Sequence, residues 1–386
     1  MRVLFLASWF PTRVHPTHGN FVEKHARTVA SAHELFVLNI QADPQLARRQ
    51  FKVENWQKED YAGLTVYFGQ NEATPSWQRI WLRAKAWRMG LENYRKQFGQ
   101  PTIVHAHVLL DAGIVAGFYH LFTGVPFVVT EHSTAYWSSD ALPGLRGVLG
   151  RWAVRRAAFM LPVTTALGKT MQDQHGLHGR YRTVGNVVNT EVFHYTKPPK
   201  QPPFTFLHIS NFRDWHKNVS GLLRAFKSAT ELSAHPLKLR LAGDGNLTDW
   251  QSSIAELKLK PEAIELSGPH SETEIATLIR SAHAFVLFSN VENQPVVILE
   301  ALSSGRPCIA TPVGGLPELI SPENGILVPV SDESAMTTAL LEIVNKYKGF
   351  DGPGIRKRTV EICGESAIRD AFSEVYALAL QSRTNG

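Results

Sequence analysis

Short apolar runs rich in Val, Ile, Leu and Phe recur along the 386-residue chain, separated by longer stretches of helical periodicity. In the first half the runs fall at 3–8, 35–40, 64–68, 103–107, 127–131 and 159–163, with helical patterns at 21–32, 77–98, 111–122 and 145–158. In the second half they fall at 205–210, 237–242, 263–267, 284–288, 308–310 and 326–329, with helical patterns at 219–232, 248–257, 272–281, 295–304 and 333–347. Strands that are apolar throughout and alternate with helices predict parallel sheets covered on both faces. Two such series predict an α/β protein with two doubly wound domains, whose shared ligand would sit in the cleft at the carboxyl ends of both sheets.

Residues 196–203 read TKPPKQPP, four prolines in eight residues. Proline donates nothing to a ladder and biases its predecessor toward extended backbone, so this stretch reads as a stiff linker. The expected organisation is a first domain over 1–195, a second over 204–363, and a C-terminal helix over 364–386 that packs back on the first.

Composition adds little to that picture, and charge adds more. The chain is 44% hydrophobic and 19% charged, enough for a core in each domain. The opening MRVLFLASWF is followed by Pro11 and reads as a buried strand, not a secretion signal. Two cysteines, Cys308 and Cys363, exclude a disulfide framework and fit a reducing cytoplasm. Residues 1–190 hold 21 Lys/Arg against 12 Asp/Glu, whereas 191–386 hold 19 against 22. A basic first half suits a phosphate-rich partner such as an anionic membrane or a charged glycan, or is simply a solvated surface. The helical stripe over 76–98, flanked by Arg79, Arg83, Lys85, Arg88, Arg95 and Lys96, is either a core-packing helix with a basic rim or an interfacial helix drawn to anionic lipid. Arg151, Trp152, Arg155 and Arg156 form a second basic cluster.

The chemistry concentrates in SNVENQPVVILEALSSGRPCIATPVGG, residues 289–315. Pro295 suits the first turn of a helix and Gly305 its end, so Glu292 belongs to the loop before that helix and Glu300 to its second turn. Free N–H groups and a partial positive charge at a helix start make a phosphate site, while glutamates can hold sugar hydroxyls or a ribose diol. The two glutamates, the Gly314–Gly315 turn, Glu318 and Asn324–Gly325 resemble the donor-site signature of the retaining family-4 glycosyltransferases. The resemblance extends over most of the chain and implies the GT-B fold, two Rossmann-like domains facing across a cleft.

Carried over position by position, the resemblance implies that Glu300 holds the nucleotide ribose and Glu292 the transferred sugar. Asn293, Gln294, Pro295 and Val296 would contact sugar and phosphate through their backbone. Many members read Glu-x-Phe-Gly where this chain has Glu292-Asn293-Gln294-Pro295. Lys217 matches the family's diphosphate-binding lysine. Asn211 stands at the companion arginine position, which leaves Arg213 as its candidate replacement. Asp244, in the turn after one strand, is read as a base-side contact or a helix cap, and His270 as a residue flanking the base. In the first domain Gly19 would let backbone amides approach a phosphate or sugar, with Asn20 as a candidate helix cap. His132 matches the family's active-site histidine, with Glu131, Ser133 and His107 on the acceptor side.

His105 and His107 form a His-x-His pair, but no third ligand is evident and no Asp-x-Asp occurs, so no metal and no other cofactor is expected. The resulting expectation is a retaining, metal-independent glycosyltransferase of surface polysaccharide synthesis. It would move a sugar from a nucleotide diphosphate sugar to a glycan or lipid-linked acceptor, in the cytoplasm or at the inner membrane face. The rivals are a sugar-nucleotide epimerase of the same architecture, a non-catalytic sugar-binding protein, and a nucleic-acid binder suggested by pI ≈ 9.2. Nothing in the sequence resembles a nucleic-acid module, and the acid pair argues against one.

Overall fold

The computed structural model describes residues 1–384. The chain divides into two compact units: Met1–Val187 with the C-terminal segment from Ile368, and Val188–Ala367.

The first unit holds seven strands: β1 (Arg2–Ala7), β2 (Glu34–Asp43), β3 (Phe51–Gln57), β4 (Ala62–Gly69), β5 (Ile103–His107), β6 (Phe127–Glu131) and β7 (Phe159–Pro162). Their order is β3-β4-β2-β1-β5-β6-β7, parallel except for the antiparallel β3–β4 pair. Alternate side chains of β1 supply two cores. Leu4 and Leu6 face Leu82, Trp87 and Tyr94 of the helix Ser76–Phe98. Val3, Phe5 and Ala7 face the helix Asn20–Ala30 and the C-terminal helix Glu365–Thr384. The C-terminal helix lays Ile368, Phe372, Val375, Tyr376 and Ala379 on that face, at the spacing of one helical stripe. The sequence pattern did not signal β3, because an edge strand exposed on one side carries only Phe51, Val53 and Trp56 for the core.

The second unit holds β8 (Phe204–Ser210), β9 (Leu237–Gly243), β10 (Ile264–Ser267), β11 (Ala284–Leu287), β12 (Cys308–Ala310) and β13 (Gly325–Leu327). The sheet is parallel throughout, in the order β10-β9-β8-β11-β12-β13. The helix Gly352–Cys363 also escaped the pattern: its first turn reads Gly-Pro-Gly, a breaker signal that Pro353, close to the helix start, tolerates.

The chain leading into the proline-rich stretch belongs to the second unit rather than spanning the two as a linker. The first unit ends at Val187, eight residues before the expected boundary, and the segment from Val188 onward is fastened to the second unit. Val188 N–H donates to Cys363 O at 2.9 Å, and Phe193 is fully buried. Arg356 donates to the carbonyls of Thr190 and Phe193, and Arg280 to that of Val192. Arg306 donates to Thr196 O and Oγ1 at 3.0 and 3.2 Å, and to the carbonyls of Ile279 and Arg280 at 3.2 and 2.7 Å. An extended segment with few ladder partners leaves its carbonyls unpaired, and the guanidinium forks satisfy them.

Arg306 is 1% exposed and holds carbonyls, not a carboxylate. Arg306→Ala strands the carbonyls of Thr196 and Arg280, while Ile279 O keeps the N–H of Ala282. The substitution is expected to lower stability to urea by about 3 kcal/mol, and an unchanged unfolding midpoint would contradict this account of the segment.

Candidate functional site

Parallel sheets bind ligands at the carboxyl ends of their strands, where the strand order reverses. That crevice lies between β8 and β11 in the second unit and between β1 and β5 in the first. The loops that follow those strands carry most of the residues expected from the sequence.

After β11 the chain forms the loop containing Ser289–Gln294 and enters the helix Val296–Ser303, with Pro295 as its N-cap and Gly305 in the left-handed region at φ +70°. Glu292 and Asn293 are buried in the loop, and Glu300 is buried in the helix. Ser289 Oγ donates to Glu292 Oε1 at 2.8 Å, and Thr311 Oγ1 donates to Ser289 O at 2.6 Å. The loop rests on the Gly314–Gly315 turn, where Gly315 N–H donates to Asn293 O at 2.8 Å. Gly314 has φ +55°, and a Cβ there would sit 1.9 Å from Glu292 O. Only glycine fits that contact.

After β8 the chain turns through Asn211, Phe212 and Arg213 into the short helix Asp214–Lys217. Lys217 Nζ meets Glu292 Oε1 at 2.5 Å, so one carboxylate oxygen takes both the ammonium and the Ser289 hydroxyl. Asn290 ties the two loops again, through its N–H to His216 O at 2.8 Å and its side-chain amide to Trp215 O at 3.0 Å. His216, half-buried beside Lys217, has its pKa lowered by burial and then by that cation. The loops are therefore pre-assembled around one buried ion pair, and Lys217 keeps further N–H donors for an anion.

The remaining second-unit candidates spread outward. Asn211 and Arg213 are exposed on the Lys217 loop, and Asn211 Oδ1 accepts from Arg213 N–H at 3.3 Å. Arg213 makes no ion pair among the described residues. Asp244 follows β9, and its N–H donates to Ser210 O at the end of β8. It is not a helix cap: Asn246, two residues nearer the helix Leu247–Glu256, accepts from Thr248 N–H instead. His270 follows β10, two strands from β8, and its Nε2 lies 2.8 Å from Ser267 Oγ.

In the first unit, Gly19 is the N-cap of the helix Asn20–Ala30 at φ +80°, against the backbone of Trp9 and Phe10. Asn20 is the first helical residue, so the expected cap at that position is absent. This helix sets Phe21 and His25 against His132, with ring centroids 4.6 and 5.4 Å away. His107 Nδ1 lies 3.3 Å from His132 Nε2, and the two rings are 15° from coplanar with centroids 5.6 Å apart. Asn186 also hydrogen-bonds the His132 ring.

Glu131 and His107 are not positioned to meet an acceptor, because both are fully buried. Glu131 Oε1 accepts from His132 N–H and Ser133 N–H, each at 2.9 Å; Oε2 accepts from Leu109 N–H at 2.9 Å and Tyr136 Oη–H at 3.2 Å. Four donors occupy its lone pairs, so Glu131 shapes the backbone of the His132 loop. Burial raises its carboxyl pKa, against the pull of those donors. Ser133, half-exposed, accepts from Ala135 N–H as a cap. His105 spends its two nitrogens on Tyr376 Oη (2.7 Å) and Thr130 Oγ1 (2.6 Å) and stacks on His107 with centroids 4.4 Å apart.

The sequence showed no third metal ligand, but His25, His107 and His132 together bring ring nitrogens within 4.8 Å of one another. Zn–N bonds of about 2.0–2.1 Å need lone pairs converging on one point. The facing nitrogens of His107 and His132 instead lie on the line joining the ring centres, since the two separations differ by about two ring radii. As placed, the pair is a hydrogen bond rather than a chelate. His25, Phe21, Ser289 and Tyr376 were missed by sequence reasoning. His25 carried a faint signal, a histidine on the buried stripe with Val22, Ala26 and Val29.

Residues 203–346 match the family model described as Glycosyl transferases group 1, and residues 19–192 match that described as Glycosyltransferase Family 4. The chain is 25% identical over 299 residues to N-acetyl-alpha-D-glucosaminyl L-malate synthase of Bacillus anthracis, covering 74% of this chain and 76% of that protein. It is 21% identical over 360 residues, 88% of each chain, to a putative teichuronic acid biosynthesis glycosyltransferase of Bacillus subtilis. Among solved structures, sucrose-phosphate synthase from Thermosynechococcus elongatus superposes with a TM-score of 0.78 over 99% of this chain and 100% of its own, at 17% identity.

Burial lowers the pKa of His25 and His208 to about 4, and those of His105, His107 and His132 well below the usual value. Below about pH 6.5 the unfolded chain binds protons that the folded one refuses. Each such histidine then costs about 1.4 kcal/mol of stability per pH unit, until its folded pKa is reached. The stabilisation is complete above about pH 6.5 and is lost as pH falls below it. The melting temperature is expected to drop steeply between pH 7 and pH 5, and less steeply in His25→Gln. Equal slopes in the two proteins would contradict the buried, neutral cluster.

Proposed function

Because the chain belongs to the family-4 glycosyltransferases and has their GT-B fold, we propose that it is a retaining, metal-independent enzyme of surface polysaccharide synthesis. In this reading it transfers a sugar from a nucleotide diphosphate sugar to a glycan or lipid-linked acceptor, at the cytoplasmic face of an anionic membrane. No helix among the described residues is long and apolar enough to cross one.

The observation that carries this reading is the buried Lys217–Glu292 pair at the β8/β11 crevice. A departing diphosphate needs its growing charge neutralised by fixed cations and dipoles. Lys217 supplies one cation, exposed Arg213 a second, and the start of the helix Val296–Ser303 supplies free N–H groups. Glu292 holds hydroxyls of the transferred sugar, while the backbone of Asn293, Gln294, Pro295 and Val296 lines sugar and phosphate. Glu300 takes the ribose diol; the nearby Cys363 thiol has its pKa raised by burial first and by the Glu300 charge as well. Asp244 and His270 serve the base side. In the first unit Gly19 brings backbone amides to the donor, and His132 hydrogen-bonds the reacting sugar, with Ser133 toward the acceptor.

The bond between the anomeric carbon and the phosphate oxygen breaks with oxocarbenium character, and the electron pair leaves with the diphosphate. The acceptor oxygen bonds the anomeric carbon from the same face and passes its proton to the departing phosphate, so configuration is retained. His132 suits positioning better than proton abstraction, because burial keeps it neutral and weakly basic.

A thermal-shift panel of nucleotide sugars tests the donor class. The matching donor at 100 times its dissociation constant is expected to stabilise the protein by about 2.7 kcal/mol, and the corresponding free sugar to have no such effect. NMR of the transfer product should then show the donor's own anomeric configuration. No stabilisation by any nucleotide sugar, or an inverted product, contradicts the proposal. An altered nucleotide sugar formed without an acceptor identifies an epimerase instead.

A further inference from the structure

Thirteen large hydrophobic residues are exposed among the described residues, and eight of them lie on three helices of the first unit. These are Trp77, Ile80 and Trp81 on Ser76–Phe98; Phe118, Leu121 and Phe122 on Ile114–Thr123; and Leu145 and Val148 on Gly144–Val154. Between the first two helices runs a groove of about 690 Å³. Its floor is Trp87, Leu91, Val115 and Tyr119, and its mouth is edged by Phe118 and Phe122, 40% and 83% exposed. Phe118 also packs on Trp152 of the third helix, with ring centroids 4.8 Å apart.

Charge around the groove is one-sided. The three helices carry eight Lys/Arg and one acid, Glu92. Arg88 pairs with Glu92, whereas Arg95 and Lys96, which also line the groove, make no ion pair among the described residues. An apolar slot of ligand size with unpaired cations at its edge fits a molecule with a hydrocarbon body and an anionic head. A second copy of the chain fits poorly: a two-fold contact centred on the groove would bring the two copies' Arg88, Arg95 and Lys96 together with only Glu92 to offset them.

We infer that this groove takes one hydrocarbon chain of an anionic phospholipid from a bilayer surface, with Arg88, Arg95 and Lys96 on its phosphate and Phe118 and Phe122 sunk at the acyl boundary. The inference rests on the reading that the enzyme works against a membrane, and it adds a defined lipid site to that contact. Exposed aromatic and aliphatic side chains beside the groove supply interfacial area, and the cations supply attraction that salt screens.

Co-sedimentation of the full chain with phosphatidylglycerol and with phosphatidylcholine vesicles, at low and high salt, tests the inference. Binding to phosphatidylglycerol at low salt is expected, weakening in high salt, in phosphatidylcholine and in Arg95→Glu/Lys96→Glu. Phe122→Ser, at the groove mouth, should weaken binding roughly tenfold. Leu121→Ser, also exposed but outside the groove, should weaken it much less. Both replaced side chains are exposed, and unchanged melting temperatures confirm that the variants fold. Equal losses in Phe122→Ser and Leu121→Ser would leave membrane contact standing and overturn the lipid site. No vesicle binding at low salt overturns both. A dimer in sedimentation velocity that Phe122→Ser dissolves, without vesicle binding, assigns the groove to a second copy. Stabilisation by a nucleotide sugar is read independently of all these outcomes.

Discussion

The second unit's site is organised around the contact of Lys217 Nζ with Glu292 Oε1. It joins the loops that follow β8 and β11, the two strands between which the sheet reverses its order. Both groups are almost entirely out of water, so neither is stable there alone; removing one partner of a buried pair typically costs about 3–5 kcal/mol. The surrounding contacts exist to hold this pair. Ser289 orients the carboxylate, Thr311 holds the Ser289 carbonyl, and the left-handed Gly314 lets the next loop press against Glu292 O. A site so assembled meets a charged ligand with little reorganisation, which is how electrostatic stabilisation of a leaving group becomes effective.

The first unit solves a different problem, the burial of four histidines without a countercharge. His105 is satisfied by Tyr376 and Thr130, His107 by His132, and His25 by Gly185 O at 3.0 Å. Desolvation keeps all four neutral. Phe5 and Phe372 close the cluster with ring contacts of 4.6–5.1 Å. The C-terminal helix thus contributes to the ground on which His132 stands, although its residues lie far from His132 in sequence.

The parallel sheets, the loop after β11 and its glutamates were legible in the sequence because each rests on local pattern: apolar runs, a proline at a helix start, glycines at turns. Glu300 and Glu292 fall where the helix boundaries put them, and Lys217 ends the short helix that follows β8. What was not legible depends on distant partners. Glu131 looked available, and only Leu109, 22 residues away, and Tyr136 show that it is spent. TKPPKQPP reads as a stiff linker, and nothing local shows that Arg306, 110 residues beyond Thr196, fastens the start of that stretch. Tyr376 reaches His105 across 271 residues, a pairing that no window of sequence reveals. His25 shows that a polar residue on an apolar helical stripe merits attention as a buried partner.

In the proposed reaction Lys217 and Glu292 act as one unit on a nucleotide diphosphate sugar. Single-turnover donor cleavage in Lys217→Ala, Glu292→Gln and the double variant measures this most directly. If the pair acts as a unit, each single change lowers the rate by roughly 10²–10³ and the double change costs little more than either alone. Near-normal rates in both single variants, with folding intact, would contradict the claim.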